Sequence, residues 1–156
     1  MRLWSEDFKD GELVPALFTC DGDNTSPSLE WSDMPAGTQS FALIVDDPDI
    51  PDFVKDKMGI EVFDHWVLFN IPSSISKIDR GVSVGVQGAN TTGKPGYTGP
   101  CPPDREHRYF FKLYALDAML DLSAGASRAE IESAMAGHVL EQASLLGRYE
   151  RQTKGI

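Results

Sequence analysis

"HRYFFKLYALD", residues 107–117, reads as a β-strand. Successive side chains of a strand point to opposite faces, so His107, Tyr109, Phe111, Leu113 and Ala115 share one face. The aromatic enrichment suits a pleated, half-buried surface. Two more runs have the same character: "SFALIVDD" (40–47), stopped by "DPDIP", and "VFDHWVLFNI" (62–71), ended by Pro72. Shorter strands are expected near 13–19, 27–31 and 144–150. Only 127–143 reads as helix, because Ser127 and Glu130 form an S-x-x-E capping box and Ile131, Met135 and Val139 recur at i, i+4. The pattern predicts a mainly antiparallel β domain with helical additions near its C-terminus.

The chain has 156 residues, which fits a single domain over 1–156. With 41% hydrophobic and 10% aromatic residues it can bury a sizeable core. No apolar run approaches the roughly 20 residues that span a bilayer. The start, "MRLWSEDFKDG", turns acidic too early for a secretory signal, so a soluble, cytoplasmic protein is expected. Twenty-four acidic against 14 basic residues give a net charge of -10. That field repels nucleic acid and anionic membranes, which select for Lys/Arg patches. An anion held by this chain must be held by local chemistry.

The three main strands each carry an ionisable group near one end. Asp47 closes the run in which Phe41, Leu43 and Val45 share a face. His65 stands near the start of the next, on a face with Phe63, Val67, Phe69 and Ile71 by alternation. His107 and Tyr109 open the third. If 40–47 runs antiparallel to the other two, all of these groups meet at one edge of the core, flanked by loops 48–51 and 96–106. Trp66 and Leu68 are then expected on the opposite face, and Asp46 away from Asp47 as a structural acceptor.

Segment 81–103 holds six glycines and four prolines in 23 residues. Loops beyond roughly 12–15 residues are usually functional or disordered, and proline rigidity argues for the former. Glycine lets backbone N–H groups approach a ligand closely. A carboxylate, two imidazoles and a tyrosine beside such a loop suit a small oxyanion, through charge-assisted hydrogen bonds. A carboxylate there can orient a histidine and raise its pKa.

Plainer readings stand beside this one. Each histidine alone reads as a satisfied core residue, and His138 as packing on the C-terminal helix. Two His and two Asp could ligate a metal, but no compact H-x-H or H-x-x-x-H spacing is present. Cys101 lies six residues before His107, yet between Pro100 and Pro102 and without a nucleophile signature. Cys20 and Cys101 read as two buried thiols ahead of one disulfide. No metal, cofactor or catalytic residue is assigned.

At the same residues the sequence resembles the phosphatidylethanolamine-binding protein family, which includes Raf kinase inhibitor protein, and most closely its bacterial and archaeal branch. The resemblance runs through "FTCDGDNTSPSLEW", "SFALIVDDPDIP", "FDHWVLFNIP", "GYTGPCPP", "HRYFFKLYALD" and "AMAGHVLEQASLLGRYER". It implies a β-sandwich-like domain with a large central antiparallel sheet, a smaller sheet, peripheral helices near the C-terminus and a pocket at the sheet edge. It also implies non-enzymatic binding of phosphate, a phosphorylated headgroup or a similar anion. The matching positions make Asp47, Asp49, Pro51, His65, Gly99, Cys101, Pro103, His107 and Tyr109 the pocket residues, with backbone N–H groups of Gly99 and Cys101 as donors. A homodimer and a protein partner are further implications. The alternatives are a protease or kinase inhibitor acting through the pocket edge, and a hydrolase of a phosphorylated or acyl compound. The chain departs from eukaryotic members at Ile60, where they often carry a tyrosine, and from the expected residues at Thr98 and "DRE" (104–106).

Overall fold

The computed structural model describes residues 1–152. The expected strands become β4 (Ser40–Asp47), β5 (Phe63–Pro72) and β8 (His107–Leu116). Around them lie β1 (Arg2–Trp4), β2 (Glu12–Leu13), β3 (Leu29–Ser32), β6 (Lys77–Ile78), β7 (Val86–Gln87) and β9 (Val139–Tyr149). A six-stranded sheet runs β2-β9-β8-β4-β5-β7, and a three-stranded sheet runs β1-β3-β6. The large sheet is antiparallel except for β2, which lies parallel to β9.

β4 lies between β5 and β8, and all eight of its residues are buried. That explains its unbroken apolar run, since a strand covered on both faces cannot alternate with polar residues. One face packs Phe41, Leu43 and Val45 against the small sheet's Leu3, Leu29, Trp31 and Ile78. The Trp31 and Phe41 rings meet edge to face at 5.4 Å. The other face packs Ala42 and Ile44, with Val67 and Phe69, against Ile131 and Met135 of α2 (Arg128–Met135). The domain is thus small sheet, large sheet, helix.

Besides the strand expected near 13–19, of which only Leu13 is strand while Ala16–Phe18 is a 3-10 turn, the structure changes three expectations. The helix that was to run through 127–143 starts at its capping box but stops at Met135. Gly137 takes φ +81°, a left-handed conformation that ends a helix, and Val139 pairs with Leu116 as a strand residue instead. His138 therefore sits in the turn, with Nδ1 2.7 Å from Asp117 Oδ1. A helix that hydrophobic periodicity does not announce, α1 (Asp52–Met58), follows Pro51 in mid-chain; none of its residues is buried, so it has no apolar stripe to read.

The cysteines are the third change. Cys20 and Cys101 form a disulfide with Cα atoms 5.4 Å apart, closing 81 residues of chain. Both residues are exposed rather than buried. The loop before β8 folds over the turn at Ala16–Phe18, and Cys20 N–H donates to Pro100 O at 3.1 Å. A crosslink over that span restricts the unfolded chain by about 4 kcal/mol in the loop-entropy picture, less any native strain. Replacing both cysteines with serine should lower the unfolding free energy by about 2–4 kcal/mol. Urea unfolding measures it: reductant should move the wild-type midpoint toward that of the double variant, and an unmoved midpoint would count against a stabilising crosslink.

Candidate functional site

Because β4 is antiparallel to both β5 and β8, its C-terminal end lies beside their N-terminal ends. Asp47, His65, His107 and Tyr109 converge there on a cavity of about 220 Å³. Loop 48–51 and α1 supply Ile50, Pro51 and Val54; the proline-rich loop supplies Thr98, Gly99, Cys101, Pro102 and Pro103. Eight of the nine expected residues line the cavity, and Asp49 does not. Its carboxylate is taken by Arg108, through Nε–H and the backbone N–H to Oδ2, both at 2.9 Å, and Nη2–H to Oδ1 at 2.8 Å. Hydrogen bonds from Arg108 hold the Asp49 carboxyl below the usual carboxylate range, against a smaller opposing effect of burial.

His65 reaches the cavity by a route that alternation alone does not describe. Val45 pairs with Trp66 and Asp46 with Asp64, so His65 is an extra residue, a β-bulge. A second irregularity at Asn70, with φ +50°, shifts the pairing between Phe41 and Leu43. Consequently Trp66, Leu68 and Ile71 belong to the core layer on the pocket side, while Val67 and Phe69 face α2. The expected grouping of His65 with Val67 and Phe69 is corrected accordingly. Trp66 and Leu68 are core, but not on the face opposite the pocket. Asp46 does face away from Asp47, accepting from Lys112 Nζ at 2.9 Å and Arg128 Nη1 at 2.7 Å.

The two imidazoles are wired oppositely. His107 Nδ1–H donates to Asp47 Oδ2, and Nε2–H donates to Asp104 Oδ1, each at 2.6 Å. Burial opposes the charged ring, but hydrogen bonds and charge from the two carboxylates outweigh it, so the pKa is raised. With a carboxylate oxygen on each ring nitrogen, the surroundings of His107 favour the imidazolium. His65 Nδ1–H donates to the Thr98 carbonyl at 2.7 Å, while Thr98 N–H donates back to the His65 carbonyl at 2.8 Å. Burial pushes the His65 pKa down despite that carbonyl and the nearby carboxylates. Its ring is neutral, with Nε2 left as a bare acceptor. The Tyr109 ring lies between them, edge-on to His65 at 5.2 Å and stacked on His107 at 6.4 Å. Burial raises its phenol well above the ordinary value, keeping it a neutral hydroxyl.

The stiffened loop is fastened at several points. Tyr97 O–H donates to Phe18 O at 2.6 Å, and Gly99 N–H to Asn24 Oδ1 at 2.8 Å. A Cβ at Gly99 would stand 2.3 Å from both Phe18 O and Asn24 Oδ1, so only glycine lets the loop lie this close. Of the two backbone donors expected here, Gly99 N–H is therefore spent on Asn24. Cys101 N–H has no hydrogen-bond partner among the described residues. Asp104 was missed as a site residue; an acid three positions before a buried histidine is a weak signal in an acidic sequence. Among the described residues no three His, Cys, Asp or Glu side chains are disposed to share a metal ion.

These geometries fix the titration of the two rings. His107 should titrate above, and His65 below, the unperturbed value of about 6.5. His107 contributes stability that is complete below about pH 6.5 and lost as pH rises through its raised value. The His65 contribution is present above about 6.5 and lost as pH falls toward its lowered value. Histidine NMR shifts across pH check this: two midpoints on opposite sides of 6.5 are expected, and a shared midpoint would contradict the assignment.

The sequence profile of the family described as phosphatidylethanolamine-binding protein matches residues 4–150. A UPF0098 protein of Methanothermobacter thermautotrophicus is 46% identical over 97% of this chain and 99% of its own length. One of Chlamydia pneumoniae is 43% identical over the same shares. Among solved structures, a putative phosphatidylethanolamine-binding protein homolog from Chlamydia trachomatis superposes with a TM-score of 0.92 at 39% identity, covering 97% of each chain. Escherichia coli YbcL, described as a member of the mammalian family, superposes with a TM-score of 0.85 at 31% identity, covering 97% of this chain and 98% of its own. These matches over nearly the whole length place the chain in the phosphatidylethanolamine-binding protein family.

Proposed function

We propose that the cavity binds, without turning over, a small ligand bearing a phosphate or similar oxyanion. The observation that carries this reading is the His107 imidazolium at the cavity wall, held by Asp47 and already hydrogen-bonded through Nε2–H to a carboxylate oxygen. An oxyanion is the group this nitrogen is built to meet. Cys101 N–H adds a second donor, and the bare Nε2 of His65 accepts from a protonated ligand oxygen. A volume of about 220 Å³ suits a headgroup-sized ligand rather than a drug-sized one. Binding without turnover is favoured because Cys101, the nearest candidate nucleophile, is spent in a disulfide.

A second reading, modulation of a protein partner such as a protease or kinase, is favoured by Phe53. It stands 69% exposed on α1, beside the lining residues Pro51 and Val54. Association as a homodimer belongs to the same proposal. So does a cytoplasmic location, against which the disulfide weighs, since such bonds persist mainly in oxidising compartments. Among the described residues no helix is long and apolar enough to cross a membrane.

Titration with inorganic phosphate and phosphoethanolamine, followed by histidine NMR, tests the binding reading. The His65 and His107 signals should shift together, and His65→Ala with His107→Ala should abolish the effect in a protein that remains folded. A folded double variant with undiminished affinity would refute it.

A further inference from the structure

Counting hydrogen-bond donors on His107 leads to a specific role for Asp104. An imidazolium has two N–H groups, and both are occupied, by Asp47 Oδ2 and Asp104 Oδ1. An incoming oxyanion therefore finds no free donor on this ring. One carboxylate must leave before a ligand oxygen can take its place.

The two carboxylates differ in how firmly they are held. Asp47 ends the central strand, and its side chain is only 3% exposed. Its second oxygen accepts the Asp49 backbone N–H at 2.7 Å. Asp104 sits in the loop before β8, and its side chain is 39% exposed over a ring that is 1% exposed. The other Asp104 oxygen faces Arg105 Nε at the longer distance of 3.8 Å. Displacing Asp47 would strand a buried carboxylate and a buried cation together. Displacing Asp104 only turns a half-exposed side chain outward into water. Uncovering the Asp47–imidazolium pair is the less costly route.

We infer that Asp104 is an internal competitor, a carboxylate of the chain itself that occupies the oxyanion position on His107 and sets how strongly a ligand must bind to enter. The inference rests on the anion-binding reading above and deepens it by naming the residue that limits affinity. The trio carries two carboxylates on one cation, an excess of one negative charge that a ligand anion meets until Asp104 withdraws. Ligands whose oxyanion is a better acceptor than a carboxylate and keeps one proton for His65 Nε2, such as monohydrogen phosphate, are admitted ahead of simple carboxylic acids.

Titration of inorganic phosphate into the intact protein, the Asp104→Ala variant and the Glu106→Gln variant at about pH 6, where His107 stays charged, separates the possibilities. Glu106 lies in the same loop and pairs with Arg148 rather than with His107, so its variant removes one negative charge without uncovering the ring. Asp104→Ala should bind phosphate at least tenfold more tightly, with a larger His107 shift, while Glu106→Gln changes affinity less than threefold. Acetate, negligible against the wild type, should become a measurable ligand of Asp104→Ala. Phosphate binding equal in wild type and Asp104→Ala would overturn the competitor and leave the anion site standing. Equal gains in the two variants would assign the effect to the general field and overturn it too. If neither wild type nor folded Asp104→Ala binds phosphate, the anion-binding reading falls, and this inference with it.

Discussion

The burial of β4 on both faces is the constraint from which the site follows. A strand flanked by antiparallel neighbours on each side and covered above and below has one permitted placement. Its C-terminal end must lie beside the starts of β5 and β8, whatever the surface loops do. Asp47, the last residue of β4, is thereby delivered to His107, the first of β8, at 2.6 Å. Two side chains 60 residues apart are brought into hydrogen-bond contact by the same packing that forms the core. The charged pair tolerates burial because each partner answers the other, which is the condition for keeping ions in a low-dielectric interior.

Much of this was legible in the sequence, because side-chain alternation is a strong signal where strands are regular. Phe41, Leu43 and Val45, and Tyr109, Phe111, Leu113 and Ala115, lie on one core layer as alternation predicts. In β5 the same rule placed His65 at the cavity with Phe63, but wrongly grouped Val67 and Phe69 with it. A bulge inserts one residue into the count and flips everything beyond it, and neither His65 nor Asn70 advertises one. The Cys20–Cys101 bond was hidden for a related reason. Pairing across 81 residues depends on where a loop folds back, and no spacing motif encodes that. The helix boundary failed more narrowly, since apolar repeats carried the count past Gly137, where the backbone turns left-handed.

Two residues of one type do opposite things in this cavity, and their hydrogen-bond partners decide which. His107 faces carboxylates on both nitrogens, which raise its pKa. His65 faces a carbonyl on one nitrogen, is almost wholly enclosed, and stays neutral. A carbonyl fixes the tautomer of an imidazole without supplying the full charge that would hold a second proton in the interior. The cavity wall thus carries one imidazole whose surroundings favour the charged form and one whose surroundings favour the neutral form. An overall charge of -10 does not decide the matter at the cavity, because remote charges are screened and the local wall sets one imidazole between two carboxylates.

The loop beside the cavity is tied down along most of its length. Thr98 is bonded to His65 in both directions, Gly99 to Asn24, Tyr97 to Phe18, and Cys101 is crosslinked to Cys20. Prolines at 95, 100, 102 and 103 restrict the backbone between these ties. The ordering cost of the loop is met on folding, so little conformational entropy is left to lose when a ligand arrives. Fixed walls leave size and the hydrogen-bonding groups of the lining as the features by which a cavity of this kind can discriminate. Of the two carboxylates on the His107 ring, Asp104 is the one this stiffened loop leaves open to water, at 39% side-chain exposure against 3% for Asp47.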